Sequence, residues 1–240
     1  MKKSLLLLAT LILSTIFANH TFAADVYAEY KMTGMGKKPF LSKMYSKNGD
    51  LRTEVNMDVA GSKMNTIMLI LKNRPDVVLV FNPLNKTYTE TKNRKTSNIK
   101  NYSIKVIGNE KVGNYNSTRA RITSEGKSWD MWFTKELPAI NLPVAANDEI
   151  SNKRLLDQLK AKGITGIPVK VVFFKSNTTT IMMTMLLTKF ERKTLSSSLF
   201  AIPAGYTKNS MTMDADKMKN MTAQERKEMI MKMMKAQTKQ

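Results

Sequence analysis

Few of the residues that usually do chemistry are present in this chain. It has no cysteine and one histidine, His20, which lies close to the N-terminus. Zinc sites built from Cys and His, and zincin helices, therefore lack their ligands. Cysteine nucleophiles are excluded as well, and so are Ser-His-Asp triads in the chain left once His20 departs with an N-terminal signal peptide. Carboxylate pairs, Lys, Tyr or a Ser-Lys arrangement remain. Asp130 sits beside Trp129 and Trp132. An aromatic-flanked carboxylate suits a sugar-cleaving site, provided a second carboxylate stands at the required separation. Glu54 and Asp58 share a strand face, and an ordinary polar face is the competing reading for all three. No catalytic residue, no metal site and no cofactor is assigned, and a non-enzymatic protein is expected.

Methionine is the second chemical signal. The chain has 19, eight of them between Met211 and Met234. Thioethers are soft ligands that select Cu(I). Residues two apart on a helix point about 200° away from each other, so Met229-x-Met231 cannot chelate there. Met229 with Met233, or Met218 with Met221, are better spaced. The competing use of these side chains is to fill apolar faces.

The third signal is apolar character on both sides of single strands. Met64, Met68 and Ile70 face one way and Ile67, Leu69 and Leu71 the other. Ile181, Met183, Met185 and Leu187 oppose Met182, Leu186 and Phe190. Val169, Val171 and Phe173 oppose Val172 and Phe174. Such a sheet must be covered on both faces. Either it is packed under helix and loops, or one face lines a cavity of flexible Met, Leu and Phe side chains suited to acyl chains. On the cavity reading the lining candidates are Met64, Ile67, Met68, Ile70, Trp132, Met183 and Met185.

The elements that must position these residues are mostly strands. Residues 25–33, 40–46, 51–59, 63–71, 77–81, 87–91, 102–107, 117–123 and 128–133 alternate or carry strand-forming residues between turn signals. Asn48-Gly49 is a strong hairpin signal, because both turn positions need positive φ. Residues 92–100 read as an exposed basic loop and 138–143 as an irregular crossing. A helix is predicted over 148–162, with Leu155, Leu156 and Leu159 as its stripe and Gly163 at its end. Strands resume over 169–175 and 179–191, and 199–203 reads as a short last strand. Thr222-Ala223-Gln224-Glu225 is a capping box, and Met229, Ile230, Met233 and Met234 then share one face of a basic amphipathic helix.

Met1-Lys2-Lys3, the apolar run from Leu5 to Phe17 and Thr21-Phe22-Ala23 together read as a secretory signal peptide, with cleavage after Ala23. The predicted divisions are 1–23 signal peptide, 24–208 β domain and 209–240 Met- and Lys-rich helical tail. Absence of cysteine in an exported chain favours a bacterial periplasm or exterior. The formal charge is +20, and two of those units leave with Lys2 and Lys3. A chain this basic is drawn to anionic surfaces such as phospholipid headgroups or envelope polymers. Nucleic acid is not expected, because aromatics are not interleaved with the basic runs as a stacking platform requires.

Meandering strands, then the strand end Trp132-Phe133-Thr134-Lys135-Glu136-Leu137, a helix, a hairpin and Ile202-Pro203-Ala204-Gly205-Tyr206 follow one another over residues 25–208. In this order the chain resembles an uncharacterised family of exported bacterial domains, DUF4412-like, which is similar in turn to LolA-like lipoprotein carriers and lipid-handling proteins. The resemblance implies a mainly β (α+β) fold. That fold is a curved antiparallel sheet, a LolA-like half-barrel covered by helices, here followed by a C-terminal amphipathic helix. It also implies an exported protein carrying or sensing a lipid or other apolar ligand. A basic adhesion or scaffold module that binds an anionic envelope polymer or membrane surface is the alternative, and methionine-based copper handling a second.

Overall fold

A computed structural model describes residues 25–34, 38–59, 62–92, 101–137 and 149–209, together with Glu225. The predicted signal peptide, most of the basic loop, the irregular crossing and all of the predicted tail helix but Glu225 lie outside the described residues.

The protein is mainly β. Its strands are β1 (Val26–Thr33), β2 (Phe40–Lys47), β3 (Asp50–Val59), β4 (Ser62–Leu71), β5 (Arg74–Asn82), β6 (Thr87–Lys92), β7 (Ser103–Val112), β8 (Tyr115–Ser124), β9 (Lys127–Thr134), β10 (Ile167–Phe174), β11 (Ile181–Arg192) and β12 (Thr207–Lys208). They form one 12-stranded sheet, in the order β12-β6-β5-β4-β3-β2-β1-β11-β10-β9-β8-β7. The chain starts in the middle, meanders to one edge through β6, and then returns from the opposite edge until β11 pairs with β1. All neighbours are antiparallel except β12, which runs parallel to β6. Helix α1 (Glu149–Ala161) is the one α-helix among the described elements.

Local chemistry accounts for the hairpins. Asn48 and Gly49 have φ of 51° and 95°, the left-handed pair that matches the twist of two tightly joined strands. Gly166 enters β10 at φ 98°, and a Cβ there would overlap the carbonyl oxygen of Thr134.

Cross-strand pairing defines two faces. The first carries Ala28, Tyr30 and Met32 of β1, Met44 of β2, Leu51 and Val55 of β3, and Met68 and Ile70 of β4. It continues through Met183 and Met185, Val171 and Phe173, Met131 and Ile122. These residues are buried, and Leu155 and Leu159 of α1 join their main cluster. The second face has its own smaller cluster, in which Leu69, Leu79 and Phe81 pack with Leu195 and Phe200.

Two expectations are corrected. Residues 199–203 are not a strand: Ser197–Phe200 forms a 3-10 turn capped by the Ser196 hydroxyl. Leu195 and Phe200 are drawn onto the second face, and Arg52 donates from Nη1 to the Leu199 carbonyl at 3.0 Å. Among the described residues no strand pairs with that backbone. Phe190, expected opposite Met183 and Met185, instead shares their face. The register with β1 shifts between Glu29 and Tyr30. Thr188 is thereby left unpaired, and its hydroxyl donates to the Glu29 carbonyl at 3.2 Å. One extra residue in a strand moves everything beyond it to the other side.

Candidate functional site

The first face is a methionine face. Met32, Met44, Met57, Met64, Met68, Met131, Met183 and Met185, drawn from six strands, all point from it. One cross-strand row runs Phe40, Met32, Met185, Val171, Met131, Ala120 from β2 to β8. Seven of the eight methionines are buried, and Met64 is 40% exposed at the end of β4. Polar side chains are interspersed on this face, Tyr30 and Ser42 among them. Tyr30 donates its hydroxyl to the Pro168 carbonyl at 3.1 Å, and burial pushes its pKa up. Ser42, opposite Tyr30 and Val55, is fully buried, and its hydroxyl finds no hydrogen-bond partner.

The structure separates the seven lining candidates. Met64, Met68, Ile70, Met183 and Met185 belong to the methionine face. Ile67 and Trp132 point from the second face: Ile67 packs against the cluster around Leu69 and Phe81, and Trp132 stands across from Arg119 and Lys170. Strand parity assigns a side within one strand, but it cannot relate Trp132 to Met183 until the register of β9, β10 and β11 is known.

Trp132 belongs to a polar group on that second face. The Asp130 carboxylate is 0% exposed. It accepts from Arg119 Nε at 3.1 Å and Nη2 at 2.5 Å, and from Arg121 Nε at 2.6 Å and Nη2 at 2.9 Å. The Trp132 indole donates to Glu110. Arg119 and Lys170 both approach its ring, at 4.8 Å and 4.4 Å from the centroid, and Arg121 lies 5.1 Å from that of Phe174. Burial pushes the Asp130 pKa up, but the bonds from Arg121 and Arg119 outweigh it and hold the group below its ordinary value. A general acid needs the opposite shift. Asp130 therefore orients two guanidinium groups. Glu54 is likewise engaged, accepting from Arg52 Nε at 2.7 Å. Among the described residues no three His, Cys, Asp or Glu side chains are grouped as a metal would need.

Asp130 and Trp132 stand out in the sequence, but nothing local marks Arg119 and Arg121 as their partners. Sequence reading missed Glu110, Lys170 and Phe174 as their neighbours. The available signal was that Arg119, Arg121, Asp130 and Trp132 take alternate positions on adjacent strands, which puts them on one face once β8 and β9 pair.

A single sheet with one apolar and one mixed face defines the class: a mainly β protein with no recognisable catalytic centre among the described residues. The chain belongs to the family described as a domain of unknown function, DUF4412, whose model matches residues 30–206. No curated protein matches it. Among solved structures, it is similar to an uncharacterised conserved protein from Thermus thermophilus, with 11% identity, a TM-score of 0.53, and 86% of this chain and 98% of that one covered. That likeness shows a shared fold. More remote are the MucA/MucB complex of Pseudomonas aeruginosa (8% identity, TM-score 0.42, coverage 74% and 55%) and a LolA superfamily protein from Nitrosomonas europaea (9%, 0.30, 81% and 96%).

Proposed function

We propose that this is an exported, non-enzymatic binding protein that carries or senses a lipid or other apolar molecule, and that the methionine face is its ligand surface. One observation carries the reading: eight methionines from six strands share one side of the sheet. Unbranched, polarisable side chains adapt to a guest whose shape varies, as an acyl chain does. A core selected only for rigidity favours branched residues with fewer rotamers. On this reading Met64, Met68, Ile70, Met183 and Met185 contact the ligand, which takes the place of side chains such as Leu155 and Leu159 of α1. The sheet is then a half-barrel that opens on its methionine side. Cleavage after Ala23 delivers residues 24–240 to the periplasm or beyond, as a β domain to residue 208 with a basic tail.

Native mass spectrometry of the protein prepared from the bacterial envelope without detergent tests this. A stoichiometric lipid-sized adduct is the expected result, together with saturable binding of the neutral apolar probe N-phenyl-1-naphthylamine. Folded protein that shows a bare mass and refuses the probe would overturn the reading.

A further inference from the structure

One row of the second face has an alternating composition. Register places Arg119 of β8 opposite Trp132 of β9, then Lys170 of β10, Leu186 of β11, Lys31 of β1 and Leu41 of β2. Cation and apolar residue thus take turns across six strands. Neighbouring strands are about 4.8 Å apart, so cations recur roughly every 10 Å. The apolar members near the centre of the sheet are unusually bare: Leu186 is 36% and Leu41 42% exposed. Arg119 shares its charge with Asp130 and Glu110. Lys31 and Lys170 form no ion pair among the described residues. The strap of residues 195–206 packs on Leu69, Leu79 and Phe81 of β4 and β5, and Leu41 and Leu186 remain exposed.

We propose that this row is a docking surface for an anionic phospholipid membrane. Lysines and arginine meet headgroup phosphates, and the two leucines reach the apolar layer just beneath them. Both kinds of contact are needed for firm attachment at an interface, since apolar burial and attraction to anionic lipid add. Charge complementarity selects this occupant, because the whole chain carries a formal charge of +20. The alternation favours a membrane over a soluble polyanion, which has no use for the leucines. This inference does not depend on the methionine face, which looks out from the other side of the sheet.

Cosedimentation of the protein from Ala24 onward with vesicles tests it. Vesicles of equal phosphatidylcholine and phosphatidylglycerol are compared with phosphatidylcholine alone. Binding is expected to the anionic vesicles and not to the neutral ones. Lys31→Glu with Lys170→Glu should weaken it about tenfold or more, since each lysine near such a surface contributes on the order of 1 kcal/mol. Reversing Lys160 and Lys162, exposed at the end of α1, should weaken it far less. Leu41→Ser with Leu186→Ser, which leaves charge untouched, should make the remaining binding vanish at high salt. Circular dichroism verifies that each variant is folded. The proposal is overturned if the Lys160 and Lys162 reversal costs as much, because net charge alone then explains binding. It is equally overturned if the leucine variant binds like wild type, if anionic vesicles do not bind, or if soluble polyphosphate competes as well as vesicles do.

Discussion

At the scale of single residues, the most constrained group is Asp130. Its carboxylate is buried on a sheet and saturated by two arginines, an arrangement that orients cations more than it stabilises a fold, since desolvation consumes much of the Coulombic gain. Its depressed pKa fixes the sign of its pH dependence. An aspartate unfolds to a pKa of about 3.9, so its contribution is present above that pH and is lost as pH falls through the lower folded value. Asp130→Asn should lower stability at neutral pH by about 2 kcal/mol, in the range of hydrogen bonds to charged groups. Urea midpoints of wild type and variant should converge only as pH falls below the depressed folded pKa of Asp130. Ser42 is the converse case. Its hydroxyl is buried on the methionine face with no partner, and burying an unpaired polar group is unfavourable. Ser42→Ala should therefore raise the unfolding free energy by about 1 kcal/mol. A lower urea midpoint would show that the hydroxyl has a partner in solution.

At the scale of elements, most strands were legible because each carries an alternating or two-sided apolar run bounded by turn residues, Asn48-Gly49 among them. The helix predicted over 148–162 is found as α1, Glu149–Ala161, with Leu155 and Leu159 inward and Leu156 less so. The illegible parts have physical reasons. β7 runs to Val112, well past the predicted 107. It is an edge strand whose exposed residues need no apolar period, and backbone pairing to β8 alone defines it. The segment around Phe200 has a strand's composition but, among the described residues, no strand to pair with. The loop into β10 makes a further prediction. Gly166→Ala would require a left-handed alanine and a Cβ overlapping the Thr134 carbonyl. It should destabilise by about 3 kcal/mol, read as a drop in thermal midpoint, while Gly113→Ala, with open space at its Cβ, should cost much less.

For the molecule as a whole, composition narrowed the chemistry and the strand periods indicated the fold class. The absence of cysteine removed thiol chemistry and Cys/His zinc sites, because the sulfur those need is absent, and the lone His20 falls in the segment read as a signal peptide. The strand periods determined a mainly β chain, and the order of its elements was enough to suggest the family to which it belongs. Which strands become neighbours was decided by tertiary structure alone. The return of β11 to β1 brings Lys170 and Leu186 into line with Lys31 and Leu41, residues more than a hundred positions apart in the chain. The same pairing gathers methionines from both halves of the chain on one side, places Trp132 on the other, and turns Arg119, Arg121 and Asp130 into a single charged group. The reason is that a strand's own period fixes only which residues share a side. Register, strand order and irregularities such as the bulge at Thr188 decide which sides coincide, and these depend on contacts far along the chain that no local pattern encodes.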